Sequence, residues 1–181
     1  MVGNLLCRKA ALRKTVVLIM IASGLGVLAM KFDPIREGEK SVGHKEELNS
    51  KTILEIFRTI EERDDTKAAK LFQPDFEIHW PDSLPYGGDF RGLEPRPNGW
   101  NTTWYPLQPT KAEREMDAHV IAAHDEDVVV LWHQRGLSAK GARFDGEVLG
   151  LYTFRDGRLA RAKMFYYDTT AVARFLAAAR R

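Results

Sequence analysis

The final strand-like segment of the chain ends in a carboxylate that could transfer protons. Residues 158–168 alternate as a strand does, and the alternation puts Asp168 on the same side as Met164 and Tyr166. That side is apolar up to its last residue. A carboxylate in an apolar, inward-facing row is costly unless it is hydrogen-bonded, paired with a charge or used in chemistry. We therefore predict that Asp168 is a catalytic acid or base, with a pKa raised by desolvation.

A structural role competes for the same residue. Asp168 precedes Thr169, Thr170 and an apolar run, and aspartate is one of the preferred residues at the start of a helix. The sequence leaves open whether Asp168 only caps this last helix or also faces a pocket.

His133 is the second catalytic candidate. It lies in the strand-like run 127–136, where it shares a side with Arg135. The pattern does not determine which side faces the core, although Arg135 favours the outside for His133, and an ordinary surface histidine is the alternative. His119 and His124 are five residues apart on a strand, which places them on opposite faces, so we predict no shared metal site.

Aromatic side chains accompany the segments that would line a pocket. An apolar cavity with a few polar groups is the usual form of a small-molecule site, whereas core packing is the default role of any one aromatic residue. The residues predicted to bind substrate are Trp80, Tyr86, Trp104, Trp132 and Tyr166.

The elements that would position these residues begin with two helices. Apolar residues recur at helical spacing as far as Ile60, with Ser50 as a plausible cap. Asp64 or Asp65 can cap a second, short helix that ends before Pro74.

The rest of the domain is predicted to consist mainly of strands. A strand from Phe76 to Trp80 leads into a turn-rich hairpin or loop at 82–92, and the prolines of 93–110 exclude a long helix and indicate a flap. Further strand-like runs are 116–124, 127–136, 144–154 and 158–168, and a helix closes the chain at 170–179. This order predicts an α+β domain with a curved, mainly antiparallel sheet.

Composition excludes several classes of protein. The chain has 181 residues, enough for one domain and a tail, and its net charge is +2. Because four basic residues lie near its start, the remainder is nearly neutral, which argues against a nucleic-acid partner. Cys7 is the only cysteine, so no intrachain disulfide or cysteine-based metal site can form. With no phosphate loop, nucleophile elbow or dinucleotide fingerprint, we predict neither cofactor nor metal.

The start of the chain is typical of an export signal. Basic residues precede an uncharged run from Val16 to Met30, which is shorter than the ~20 residues that span a bilayer comfortably. We predict that residues 1–30 are a signal peptide or short membrane anchor and that the domain is exported. The alternatives are an organelle presequence, or a cytoplasmic protein whose translation starts at Met30. Residues 31–49 lack a clear period and are predicted to be a linker before a domain at 50–181.

Three motifs carry a resemblance to a known family. They are Leu84-Pro-Tyr-Gly-Gly-Asp-Phe-Arg-Gly92, Tyr152-Thr-Phe-Arg-Asp-Gly157 and Phe165-Tyr-Tyr-Asp168. Together with the order of elements, they resemble the SnoaL-like branch of the nuclear-transport-factor-2-like (NTF2-like) superfamily over about residues 50–179. The resemblance implies a cone-shaped sheet closed by helices, a deep apolar pocket for a small molecule, and a homodimer packed through the open sheet face. It also implies that Asp168 corresponds to the acid/base of SnoaL-like cyclases.

Ketosteroid isomerases of the same superfamily use two acids that this chain lacks. One precedes a proline on the first strand, where this chain has Trp80 before Pro81, and the other lies on the penultimate strand near Gly150. Asp82 falls in a turn, where we expect it to be exposed. Steroid isomerisation by that mechanism is therefore disfavoured.

These observations predict a cofactor-free cyclase, isomerase or dehydratase that acts on a hydrophobic carbonyl-bearing or polycyclic molecule, with a pocket aspartate as acid/base. The alternative is a non-catalytic exported domain that binds an apolar ligand or dimerises. A buried Asp168 facing a cavity would favour catalysis, whereas an Asp168 whose oxygens cap the last helix would favour the alternative.

Overall fold

The chain folds helix-first, and its strands then build one sheet. The computed structural model describes residues 37–92 and 106–179. The helices in these ranges are α1 (Glu37–Glu62), α2 (Asp65–Leu71), α3 (Lys111–Arg114) and α4 (Thr169–Ala179). The strands are β1 (Phe72–Trp80), β2 (Gly88–Arg91), β3 (His119–His124), β4 (Asp127–Leu137), β5 (Arg143–Arg155) and β6 (Arg158–Tyr166). The predicted α+β class is confirmed.

The described strands form a curved sheet that does not close, in the order β2-β1-β6-β5-β4-β3. Neighbouring strands pair antiparallel, except β1 and β6, which run parallel. The longest ladder joins β4 to β5, from Asp127 opposite Thr153 to Leu137 opposite Arg143. Because β6 continues this meander along β5, the three strands form the centre of the sheet.

One face of the sheet packs against α1 and forms the core. Strand β4 alternates along its length, and its inward side chains at this face are Val128, Val130, Trp132 and Gln134. Helix α1 covers the three apolar members of this set with Ile53, Ile56 and Phe57, which are at most 5% exposed. The outward positions of β4 therefore include His133 and Arg135. The sequence had favoured this outward position for His133, because it shares a side of the strand with the charged Arg135.

Helix α1 begins at Glu37, well before the predicted start at Ser50. The prediction of a linker over 31–49 is therefore wrong for residues 37–49, and Ser50 lies inside the helix rather than capping it.

Polar contacts, rather than an apolar stripe, hold the early turns of α1. Lys45 Nζ lies 2.7 Å from a carboxylate oxygen of Glu126, and the buried Asn49 donates from Nδ2 to the carbonyl oxygen of Asp125 at 3.3 Å. Both contacts reach the turn between β3 and β4. Since such contacts leave no apolar period in the sequence, periodicity could not predict this part of the helix.

The predicted turns and short elements are confirmed. Asp64 caps α2 by accepting a hydrogen bond on Oδ1 from the backbone nitrogen of Lys67 at 2.9 Å. Asp156 and Gly157 join β5 to β6 with φ angles of 51° and 71°, the left-handed pair that a tight two-residue hairpin requires. Strand β2 folds back on β1 as the hairpin predicted over 82–92.

Several predictions fall outside the described residues. They concern the leader at 1–30, residues 93–105 of the flap predicted over 93–110, and Trp104. Among the helices of the described ranges, none combines the length and the apolar character needed to cross a membrane.

Candidate functional site

Asp168 lies at the start of α4 rather than in the interior. It is exposed, and its Oδ1 accepts a hydrogen bond from the backbone nitrogen of Ala171 at 2.8 Å. Strand β6 ends at Tyr166, so the alternation of a strand no longer governs position 168. The prediction that Asp168 faces inward beside Tyr166 is therefore wrong. The arrangement is that of a helix cap, the alternative the sequence had left open.

His133 belongs to a charged cluster on the outer face of the sheet. Its Nδ1 lies 2.7 Å from Oδ1 of Asp145, whose Oδ2 accepts a hydrogen bond from Nε of Arg135 at 3.1 Å. Arg135 also binds the carboxylate of Asp117. Burial acts to raise the pKa of Asp145, but the hydrogen bonds from His133 and Arg135 outweigh it, so this pKa is lowered overall. The cluster ties β4 to β5 on the face opposite the core.

Four of the five predicted binding residues meet in one aromatic cluster on the inner side. The ring of Trp80 lies 5.5 Å from that of Tyr86 and 6.2 Å from that of Tyr166, between centroids. Trp132 lies 6.4 Å from Tyr166 by the same measure. Both tryptophans are buried, while the tyrosines are half-buried. The fifth residue, Trp104, lies outside the described part of the chain.

Strand register and one tight turn bring these rings together. Trp132 on β4 and Tyr166 on β6 lie in the same cross-strand row, with a valine of β5 between them. Tyr86 comes from the turn between β1 and β2. The next residue, Gly87, has no room for a side chain, because a Cβ there would lie 2.2 Å from the carbonyl oxygen of Pro81.

A chain of hydrogen bonds connects the tyrosines to a buried amide. The hydroxyl of Tyr86 donates to that of Tyr166 at 3.1 Å, and Tyr166 donates to Oε1 of Gln134 at 3.4 Å. Gln134 is fully buried and donates from Nε2 to the carbonyl oxygen of Arg135 at 3.4 Å. Burial raises the pKa of both phenols, against a smaller lowering by Tyr166 at Tyr86. Both hydroxyls therefore stay protonated at neutral pH.

Tyr152 closes the cluster from β5. Its ring lies over Gly150, where a Cβ would stand 2.3–2.4 Å from three atoms of the phenol. Its hydroxyl donates to Sδ of Met164 at 3.7 Å, and burial raises its pKa. Phe57 of α1 packs on the same group, with its ring centroid 5.8 Å from that of Tyr152 and 5.9 Å from that of Trp132. The strand position at which ketosteroid isomerases would carry an acid is thus covered by a phenol.

Sequence reasoning missed two members of this group, Gln134 and Tyr152. Gln134 had a usable signal, since it is the polar member of the alternating set that includes Val128, Val130 and Trp132. The signal for Tyr152 was weaker: a glycine two residues before an aromatic residue on a strand leaves space for the ring to lie along the strand.

The described interior offers neutral groups for chemistry. Within 37–92 and 106–179, the buried polar or charged residues are Asn49, Thr59, Gln73, Gln108, Glu113, Gln134 and Ser138. Glu113, the carboxylate among them, is committed to the hydroxyl of Thr110 and to Nη1 of Arg143 at 2.8 Å. The aromatic cluster can therefore donate and accept hydrogen bonds, but its described members include no base for neutral pH.

The same residue ranges contain no group of three or more histidine, cysteine or acidic side chains placed to hold a metal ion. They do contain an open surface depression of about 510 Å³ beside the end of α4. Its lining residues are Ser138, Lys140, Ala142, Arg174, Phe175, Ala177, Ala178 and Ala179. Of the residues predicted to bind substrate, the four that the structure describes do not line it.

Comparison with protein families matches residues 53–162 to the SnoaL-like domain, which is more than half of the chain. The chain belongs to the SnoaL-like domain family. A search of curated proteins found no match for this SnoaL-like protein.

Solved structures with the same fold include three informative neighbours. An NTF2-like protein of unknown function from Burkholderia pseudomallei K96243 is 20% identical, with a TM-score of 0.53 over 71% of this chain and 97% of its own. TerC, co-crystallised with polyporic acid, is 19% identical, with a TM-score of 0.54 over 72% and 98%. A putative SnoaL-like polyketide cyclase from Jannaschia sp. CCS1 is 17% identical, with a TM-score of 0.53 over 68% and 88%. At these identities the likeness concerns the fold, and the predicted NTF2-like architecture is confirmed.

Proposed function

We propose that this SnoaL-like protein binds an uncharged, hydrophobic small molecule on the inner side of its sheet, with Trp80, Tyr86, Trp132 and Tyr166 as the walls. The observation that carries the proposal is the hydrogen-bonded pair of Tyr86 and Tyr166, kept protonated among aromatic rings. A few polar groups in apolar surroundings are the usual composition of a ligand site. The neighbour crystallised with polyporic acid and the putative polyketide cyclase add support for a small-molecule role in this fold.

Charge supports an uncharged ligand. The arginine nearest to the hydrogen-bond chain in sequence, Arg135, directs its guanidinium to the outer-face carboxylates of Asp117 and Asp145. An anionic ligand at the hydrogen-bond chain would therefore lose its hydration without gaining a counter-charge from Arg135.

Titration of the full-length protein with 2-naphthol, followed by quenching of tryptophan fluorescence, tests the proposal. We expect saturable binding, and we expect Tyr166→Phe to weaken it about five-fold, because the ring remains while one neutral hydrogen bond is lost. Tyr167→Phe is the matched control, since Tyr167 is the next residue and is 91% exposed. A titration that never saturates, or an equal loss in the two variants, would contradict the proposal.

Catalysis by polarisation of a substrate carbonyl group is the second candidate function. The observation that favours it is the protonated phenol pair, which can polarise the carbonyl group of a substrate. Asp168, an exposed helix cap, is placed for stability, so a cyclase or isomerase activity should survive Asp168→Asn and fall in Tyr166→Phe. If turnover fell in Asp168→Asn and survived in Tyr166→Phe, Asp168 would be the acid/base after all.

A homodimer packed through the outer sheet face is proposed as the assembly. Leu131, Leu149 and Phe165 lie in one cross-strand row on that face, and Leu149 and Phe165 are 41% and 49% exposed. In the part of the chain that is described, Glu147 on β5 has no basic partner and Arg161 on β6 has no acidic one. A two-fold axis through the row would bring each acid near a base of the other subunit while burying the apolar row.

Sedimentation equilibrium tests this assembly. The proposal expects a dimer for the wild type and a monomer for Phe165→Glu, because the new charge would be buried against the partner. Ile60→Glu is the control, since Ile60 is 42% exposed but lies on α1. A monomeric wild type, or a dimer that tolerates Phe165→Glu, would contradict the proposed interface.

A further inference from the structure

The surface depression beside the end of α4 combines two basic side chains with an apolar wall. It lies between the turn that joins β4 to β5 and the last turns of α4, and its volume is about 510 Å³. Sites for small molecules occupy about 300–1,000 Å³, so the depression has the size of such a site. The four described walls of the proposed aromatic site do not line it, which makes it a separate place on the molecule.

The apolar wall of the depression is held in place by packing beneath it. The ring of Phe175 stacks on that of Phe144 at 5.5 Å between centroids, with 30° between the ring planes. It also fills the space above Gly136, where a Cβ would lie 2.6 Å from the ring. The exposed Ala177 and Ala178 extend the wall towards the end of α4. This apolar surface is therefore formed before a ligand arrives, which reduces the cost of binding.

The opposite wall is a turn that its own hydrogen bonds fix. The backbone nitrogen of Ser138 donates to the carbonyl oxygen of Ala142 at 2.8 Å, and the backbone nitrogen of Ala142 donates to Oγ of Ser138 at 3.0 Å. The backbone nitrogen of Gly141 donates to the carbonyl oxygen of Ser138 at 2.9 Å. Lys140 lies within this turn, so its backbone position is set even though its side chain is exposed.

The basic residues of the depression carry charge that is not balanced. Neither Lys140 nor Arg174 has an acidic ion-pair partner in the part of the chain that the structure describes. Arg143, which follows the lining residue Ala142, is by contrast bound to Glu113 at 2.8 Å. The described residues that line the depression include no acid. A ligand that complements them therefore carries negative charge and an apolar part.

We infer that this depression binds an amphipathic monoanion, namely a carboxylate on an unbranched alkyl chain. The guanidinium of Arg174 can bind both carboxylate oxygens, and the ammonium of Lys140 adds a second positive charge. The alkyl chain would lie along Phe175 and residues 177–179. This orientation keeps the carboxylate away from the last turn of α4, where the helix dipole disfavours an anion.

A free molecule fits the depression better than a membrane does. A flat lipid surface would meet the rim and leave the recessed apolar wall uncovered, whereas a single alkyl chain can enter. The inference goes beyond the proposed function, because it concerns a second place on the molecule and a charged ligand.

Isothermal titration calorimetry of the full-length protein with octanoate tests the inference. Octan-1-ol has the same chain without the charge, and butanoate has the charge on a shorter chain. We expect octanoate to saturate at one molecule per chain and to bind more tightly than either of the other probes. Its affinity should fall as the ionic strength rises, because both basic side chains are exposed.

Substitutions of the basic residues locate the ligand. Arg174→Gln and Lys140→Gln should each weaken octanoate about three-fold, as expected for an exposed charge pair, and the double variant about ten-fold. Binding of octan-1-ol should change by less than two-fold. Arg158→Gln and Lys70→Gln are the matched controls, since both residues are exposed and neither lines the depression. Arg158 follows the turn at the other end of β5.

Nuclear magnetic resonance gives a readout that does not depend on substitution. The amide resonances of Gly141, Ala177 and Ala178 should shift as octanoate is added. The amide of Gly157, in the turn at the other end of β5, should not.

The possible failures are distinguishable. If octanoate does not saturate the wild type, or binds the double variant as tightly as the wild type, the inference is overturned. If Tyr166→Phe weakens octanoate and the double variant does not, the ligand lies among the inner aromatic rings, and the inference is again overturned while the proposed function stands. If phosphatidylglycerol vesicles bind through the two basic residues and octanoate does not bind, the surface meets a membrane and the inference is wrong. If octanoate behaves as expected and 2-naphthol does not bind, the proposed function fails and the inference stands.

Discussion

Replacing Gly150 with alanine tests whether the ring of Tyr152 occupies the space above this strand position. The new Cβ would lie 2.3–2.4 Å from three atoms of the phenol, well inside the ~3.5–4 Å of a normal carbon contact. The ring of Tyr152 has little freedom to move, because its hydroxyl donates a hydrogen bond to Sδ of Met164 and the ring of Phe57 packs against it edge-on. Two effects oppose each other. Alanine is preferred to glycine in a strand by about 0.5–1 kcal/mol, whereas overpacking a core costs about 1–3 kcal/mol.

The cost of overpacking is the larger of the two effects. We therefore expect Gly150→Ala to lower the free energy of unfolding by about 1–2 kcal/mol and the melting temperature by roughly 2–8 °C. Circular dichroism during heating and urea titration measures both. Gly43→Ala is the matched control: Gly43 lies in α1 with open space around it, so the same substitution should stabilise by up to about 1 kcal/mol. In a Tyr152→Leu background the cost of Gly150→Ala should shrink towards zero. If Gly150→Ala stabilises the wild type as Gly43→Ala does, the ring does not lie where the structure has it.

Two further predictions concern the carboxylates outside the interior. Asp168→Ala should cost about 1 kcal/mol of stability, and Asp168→Asn should cost only a few tenths, because asparagine also caps helices; an equal loss in the two urea titrations would argue against the cap. Asp145 has a lowered pKa in the folded state, so its contribution to stability is present above the unfolded pKa of about 4 and is lost as the pH falls below it. Asp145→Asn should therefore flatten the decline of the melting temperature between about pH 4 and pH 2. Identical pH profiles for Asp145→Asn and wild type would contradict this prediction.

Much of the sheet could be predicted from local rules. Alternation along 127–136 predicted β4, although the inward face needed the structure to identify it, and Asp156-Gly157 predicted the turn between β5 and β6. These signals suffice because a half-buried strand and a two-residue turn each impose their own residue types. The aromatic residues chosen from the sequence as pocket walls include Trp80, Trp132 and Tyr166, whose rings contact one another because large rings pack in the interior.

The errors arose where position depends on distant parts of the chain. The early turns of α1 are held by polar contacts to the β3–β4 turn, and no local pattern announces a contact with residues about eighty positions away. Asp168 was extrapolated along β6 beyond its end, where the backbone had already turned into α4. The rings of Trp132 and Tyr166 meet only through the register of β4 with β5 and of β5 with β6, which the sequence does not specify residue by residue.

The most direct measurement of the central claim is an isotope-filtered nuclear Overhauser experiment on the full-length protein with bound 2-naphthol. A ligand on the inner side of the sheet should give cross-peaks from its ring protons to the side chains of Trp132 and Tyr166. Cross-peaks to Leu149 and Phe165 instead, with none to Trp132 or Tyr166, would put the apolar ligand on the outer face and contradict the account.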